Sequence, residues 1–345
     1  MERDNITGRQ GFFLLTLFLL GNLVTASGAK SIHSGWLLFL LLGLLSLPLF
    51  RLYLKTAGRR QPGVIFTETL GKKVGGAVTV LFCGLAILLA GDAIRLFADF
   101  IVINDLNDAG AWGNSALLTI TVLLLLYSDL HSQGKAAWVL SPISMLLLLV
   151  SLALTVTKMD FHRLLPLLDD DGMTLLRGFA GSMGGLLAPA FFPIAALSGS
   201  APVNWRKNVY AAGIAVFLLL ALLSLRDNLV LGFPTAGMFR FPFFASASAT
   251  RHSEILISAV FVLSQPFRTA LCLRYVQACL IWWKPRWKLW YPPILLALSV
   301  LSGALSWSSE QVRWRTGGEI AVILILLAGP LAVWIAEKVR KKKAA

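Results

Sequence analysis

Residues 178–199 read GFAGSMGGLLAPAFFPIAALSG, a run long and apolar enough to cross a bilayer yet interrupted by Gly181, Gly184, Gly185, Pro189 and Pro193. In hydrocarbon a helix has to satisfy its own backbone, and a freed N–H or C=O is costly unless protein or a watery cavity receives it. Breakers clustered in one span therefore predict a segment that lines something rather than one that faces lipid. Interrupted spans near the bilayer midplane are how secondary transporters expose carbonyls and half-helix ends to a small polar ligand. The plainer alternative for Gly181, Ser182, Gly184 and Gly185 is close helix packing, which small residues also allow.

The rest of the chain reads as a scaffold for that stretch. Of its 345 residues 57% are hydrophobic and 14% charged, and the mean hydropathy is +0.75. A soluble domain carries roughly 25% charged residues, so this is an all-α polytopic membrane protein. The net charge of +14 would suggest nucleic acid in a soluble chain. Here the basic residues sit in short loops and at the C-terminus, where they act as topology signals, and no nucleic-acid partner is implied. Cys83, Cys272 and Cys279 fall inside apolar runs, which indicates neither a disulfide framework nor a metal cage. His33, His131, His162 and His252 lie in separate loops without ligand spacing. No metal or cofactor is expected. The first apolar run has no small-residue cleavage site after it and is expected to be retained.

At about 20 apolar residues per crossing, the hydropathy pattern predicts about ten helices, over 11–28, 35–53, 75–97, 114–128, 136–156, 178–199, 209–231, 254–283, 292–307 and 318–337. Lys and Arg are more numerous at the termini and in the loops after even-numbered spans, among them Arg59, Arg60, Lys72, Lys73 and Lys284. Both termini are therefore expected to face the cytoplasm. On the other side, 160–177 contains the acidic turn Asp169, Asp170 and Asp171, which reads as a solvated loop. Residues 232–251 are too long for a minimal connector and read as a small re-entrant or surface cap.

The first span repeats the interruption of the sixth. It is apolar to Leu20 and then turns to Gly21, Asn22, Thr25, Ser27 and Gly28, residues that make a poor lipid-facing surface and suggest a cavity wall. Two interrupted spans half a chain apart fit a five-plus-five inverted repeat, with halves of approximately 1–157 and 174–340 inside one integral-membrane domain of 1–345. Charges inside spans sharpen the picture, because each costs at least about 2.5 kcal/mol at mid-membrane and has to be paired or hydrated. Asp92, Arg95 and Asp99 share one face of the third helix, as charge pairing or coupling groups or as an interfacial salt bridge. In the eighth, Gln265 and Arg268 lie mid-span, where Arg268 cannot easily snorkel. Its guanidinium could hold a carboxylate bidentately or pair with Asp92 across the bundle. Arg274, nearer the helix end, reads as structural.

The order of several landmarks resembles the spore germination permeases, the GerAB-like B-subunits of germinant receptors within the amino acid–polyamine–organocation transporter superfamily. They are ITGRQGFFLLTLFLLGN at 6–22, RRQPGVIFTETLGKKVGG at 59–76, LLPLLDDDGMTLLRG at 164–178, GFPTAGMFRFPFFASAS at 232–248, and the eighth span at 255–283. The resemblance implies a LeuT-like fold whose first, third, sixth and eighth helices surround a small-molecule site, commonly for an amino acid. It also implies partner subunits, a large soluble-domain membrane subunit and a lipoprotein, in the spore inner membrane. The chain departs from the family pattern at SIHSGW (31–36), at Ser264 and Gln265, and at GKAAW (134–138). On this basis the expected function is nutrient sensing that triggers germination, and the alternative is transport of the same solute by alternating access. A membrane enzyme acting on lipid substrates would need clustered catalytic acids or histidines beyond the single acidic turn, so no enzyme is expected.

Overall fold

The computed structural model describes residues 6–23, 32–104, 110–164, 170–200, 202, 205–239, 241–250, 253–307 and 313–344. Among these the secondary structure is helical, with no strand. The elements are α1 (Gly8–Gly21), α2 (Gly35–Ala57), the short α3 (Thr67–Leu70), α4 (Lys72–Ile103), α5 (Gly110–Tyr127), α6 (Leu130–Thr155), α7 (Gly172–Ser182), α8 (Phe191–Ser198), α9 (Trp205–Leu231), α10 (Phe233–Met238), α11 (Pro242–Ser248), α12 (Ser253–Trp283), α13 (Tyr291–Trp307) and α14 (Arg313–Ala344). Among the described residues, eight helical segments are long and apolar enough to cross a membrane, and Gly8–Gly21 and Tyr291–Ala304 are shorter apolar helices. The chain is an integral membrane protein.

Most spans run past the ends that hydropathy gives. The third begins at Lys72 and ends at Ile103, and the fifth starts at Leu130. Polar first and last turns stay helical once they leave the hydrocarbon, so an apolar window underestimates them. The first span is the exception. Its α-helix stops at Gly21, where Asn22 caps it, and residues 24–31 lie outside the described set.

The sixth span is interrupted where its glycines and prolines fall, but it is not cut into two separate half-helices. From Gly172 the backbone stays helical through a wide π-helical turn at Met183–Leu187 and a tight 3₁₀ turn at Ala188–Ala190 into α8. Pro189 and Pro193 supply no N–H and crowd the carbonyl four residues back, so the helix changes pitch locally. The phenol of the buried Tyr53 on α2 donates to the carbonyl of Ala188 at 3.2 Å. Residues 172–177 form the opening turns of this span.

Burial sorts the helices into centre and rim. The apolar window of the sixth span is 83% buried inside the protein and that of α12 is 72%, against 28% for α5 and for the α6 segment and 22% for 320–340. Every residue from Leu14 to Gly21 of α1 is buried as well. α12 packs on α1, α4, α6 and α8, which makes it the member that joins the bundle. Rim helices turn Trp112, Ile120, Leu124, Trp138, Leu146 and Leu154 outward, as a lipid-facing surface requires. Glycine allows α4 and α13 to touch: a Cβ at Gly91 would fall 2.1 Å from Ser302 Oγ and 2.5 Å from the carbonyl of Ser299. Pro266 lies inside α12.

The two ends are tied differently. At the basic end Arg60 bridges Glu68 at 3.2 Å and Glu337 at 2.7 Å, while Arg340 donates to the carbonyls of Glu68 and Thr69. At the other end Asp170 accepts from the backbone N–H groups of His33 and Ser34 at 2.9 and 2.8 Å, which places a carboxylate on the N-terminus of α2. The acidic turn is therefore a tether between distant segments and not a purely solvated loop; Asp169 lies outside the described residues. The long stretch expected to form a cap folds as α10 and α11.

Candidate functional site

α1 opens on a capping box between Thr7 and Gln10 and ends deep in the protein at Gly21. The carbonyls of its last turn would be orphaned there without donors. The Asn22 side chain donates to Phe18 O at 3.1 Å, and its backbone N–H to Leu19 O and Leu20 O. Gly21 O accepts from Gln265 Nε2 at 2.5 Å and from Arg268 Nη1 at 3.4 Å, both on α12. Glycine is required at 21 because a Cβ there would lie 2.9 Å from Arg268 Cβ and 3.1 Å from the carbonyl of Ser264.

Arg268 is 3% exposed, and its Nη2 lies 4.0 Å from Asp92 Oδ2 on α4, a carboxylate whose side chain is 52% exposed. Both Arg268 contacts are long beside the roughly 2.7–2.9 Å typical of charge-assisted bonds. Gln265 is wholly buried, and its Oε1 has no hydrogen-bond partner among the described residues. So α1, α4 and α12 bring Gly21, Asn22, Asp92, Gln265 and Arg268 to one place. The face shared by Asp92, Arg95 and Asp99 divides: Arg95 turns to Asp99 at 3.6 Å within α4, and Asp92 turns to Arg268.

Other expected members lie elsewhere. Thr25, Ser27 and Gly28 are outside the described residues. Gly181 and Ser182 end α7, Gly184 and Gly185 fall in the wide turn that follows, and that turn packs against α2 and α14. It is the next segment, α8, that reaches α12 and α1. Ser182 Oγ is buried without a hydrogen-bond partner among the described residues. The polarity at α1 is also opposite to what a helix opening onto a carboxylate would need. Its described end is a C-terminus, whose partial charge is negative and attracts a cation.

Sequence reasoning missed the buried pair Arg226 and Asp227 on α9. Their side chains are 0% and 5% exposed and 2.9 Å apart. Arg226 also donates to Ser151 Oγ on α6 at 3.1 Å and to Phe243 O on α11 at 2.7 Å, and Ser246 donates to Asp227. The signal was present as Arg-Asp-Asn at 226–228 closing an apolar run. The pair holds α11 beside a small apolar crevice of about 10 Å³ lined by Leu23, Phe100, Ile257 and residues 241–244. Arg274, by contrast, does what its position suggested. It donates to the carbonyls of Leu126 at 3.0 Å and of Ser128 at the C-terminal end of α5.

No curated protein matches the chain. The sequence model of the family described as "spore germination protein" matches residues 5–255, from the start of α1 to the start of α12, with Gln265 and Arg268 beyond its limit. With well over half of its length matched, the chain belongs to the spore germination protein family.

Proposed function

We propose that this chain is the membrane subunit of a spore germinant receptor and that it binds a small zwitterionic nutrient, of the amino-acid class, between Arg268 and Asp92. One observation carries the reading: a guanidinium buried at the end of α1, whose contacts among the described residues are a 3.4 Å hydrogen bond and a 4.0 Å ion pair. A buried charge is stabilised only by close, well-aligned partners. A ligand carboxylate would complete the set on Arg268, and the ligand ammonium would meet Asp92. Gln265 Oε1 is a further acceptor for that ammonium. In this reading Ser182 and the glycines 181, 184 and 185 let the sixth span flex against α2 and α14 as the site fills.

The chain would sit in the spore inner membrane with both termini in the cytoplasm, as one domain with two inverted halves of approximately 1–157 and 174–340. It would pass the signal to a large soluble-domain membrane subunit and a lipoprotein. Reconstitution of the full chain in proteoliposomes with a radiolabelled mixture of L-amino acids tests this. Saturable binding without accumulation inside the vesicles is expected. Accumulation would favour an alternating-access permease, and no binding would remove the amino-acid class.

A further inference from the structure

A helix C-terminus inside a membrane protein is a natural seat for a metal cation, because its carbonyls lack helical donors and carry partial negative charge. Interrupted spans use such ends to hold sodium. α1 ends this way at Gly21, yet the chain itself supplies every donor for its last turn. Asn22 serves Phe18 O, Leu19 O and Leu20 O, and Gln265 and Arg268 serve Gly21 O. The positive charge at that end belongs to Arg268, with Asp92 as its counter-ion and with Arg95 and Asp99 occupied by each other further along α4.

We propose that Arg268 is a tethered cation standing where a sodium ion would otherwise join the end of α1 to the ligand, so that recognition is independent of sodium. The inference rests on the amino-acid reading above and assigns its ion coupling. A guanidinium offers five N–H donors in a fixed fork, so one can cap Gly21 O while others take a carboxylate. It is also tied to the chain and cannot dissociate as a free ion does, so the link is permanent. A free sodium ion brought within about 4 Å of it would be repelled, and the carbonyls of the last turn of α1 already have donors.

The test compares binding of a radiolabelled L-amino-acid mixture to the reconstituted full chain in sodium medium and with N-methyl-D-glucamine replacing sodium. Binding is expected to agree within about twofold, whereas a fall of about tenfold or more without sodium, the size of an ordinary coupling between two ligands, overturns the proposal. Binding in neither medium overturns the amino-acid reading and this one with it. The variant Arg268→Gln, checked for unchanged elution on gel filtration, is expected to lose binding and to regain part of it when guanidinium ion is added. Unchanged binding by this variant overturns the tethered cation and takes Arg268 out of the amino-acid site as well, whereas binding that needs sodium overturns the tethered cation alone. Should the variant fail to fold, the sodium comparison on the unaltered chain decides.

Discussion

Arg226 and Asp227, neighbours in sequence, form an ion pair at 2.9 Å with both side chains almost wholly excluded from solvent. Consecutive helix residues do not ordinarily face each other. This pair closes because Ser151 and the carbonyl of Phe243 take further N–H groups of the guanidinium, and Ser246 donates to the carboxylate. Removing one partner strands the other charge in the interior, which typically costs about 3–5 kcal/mol. Arg226→Met or Asp227→Leu alone should each lower stability by that amount. The double replacement should lose clearly less than the sum, and thermal unfolding of the purified chain in detergent would show it. Strictly additive losses would refute the coupling.

Asp170 makes a second checkable tie. Its carboxylate receives the two N–H groups at the start of α2, so Asp170→Ala should cost about 0.5–2 kcal/mol, with Asn keeping part of it. The loss should be local. Hydrogen exchange should speed up in the first turn of α2 and not at its far end, and uniform exchange across α2 would argue against a cap.

At the site, Arg268→Ala is expected to abolish the response to amino acids while the chain remains in the membrane at normal abundance. Truncating one member of a buried, hydrogen-bonded charge pair costs about 2–5 kcal/mol, or roughly thirtyfold and upward in affinity. Gly21→Ala should produce a similar defect by a different route, since its Cβ would push against Arg268 Cβ at 2.9 Å and Ser264 O at 3.1 Å. An unaltered dose response in either variant would take that residue out of the site.

Two glycines on α4 provide a contrast within one helix. A Cβ at Gly91 would collide with α13, whereas one at Gly84 would meet nothing within 4 Å. Gly91→Ala should therefore destabilise the bundle by about 1–3 kcal/mol through overpacking, and Gly84→Ala should be tolerated. Parallel melting curves would decide between them, and equal behaviour would mean that α4 and α13 do not depend on this crossing.

The hydropathy pattern made the spans legible, because a backbone in hydrocarbon has few options besides a helix. Gly21, Asn22 and the breakers of 178–199 located both interruptions, but not their form. A proline can be absorbed by a wide turn and a tight one in succession, and which turn forms depends on neighbours such as Tyr53. Arg268 could be singled out because no nearby interface offered it an escape. Arg226 escaped notice because it stands near a helix end, where snorkelling is the ordinary expectation, and its partners Ser151 and Phe243 are 75 and 17 residues away. Asp170 was hidden in the same way, since its partner lies 137 residues back along the chain.

Pro266 sits between the two α12 side chains that touch Gly21 and removes the N–H that the carbonyl of Val262 would have received. The ladder of backbone bonds along this 31-residue rod is thus thinnest near its midpoint. A rod bends where it is weakest, and points beside a fulcrum travel least. Flexing of α12 would swing Phe261, whose ring lies 4.5 Å from that of Phe100 and tilted against it, on one side. On the other it would move Trp282, whose Cβ would lie 3.1 Å from a Cβ built at Gly63. Gln265 and Arg268 would stay nearly still between the two arms, the arrangement of a balance beam with its load carried over the pivot.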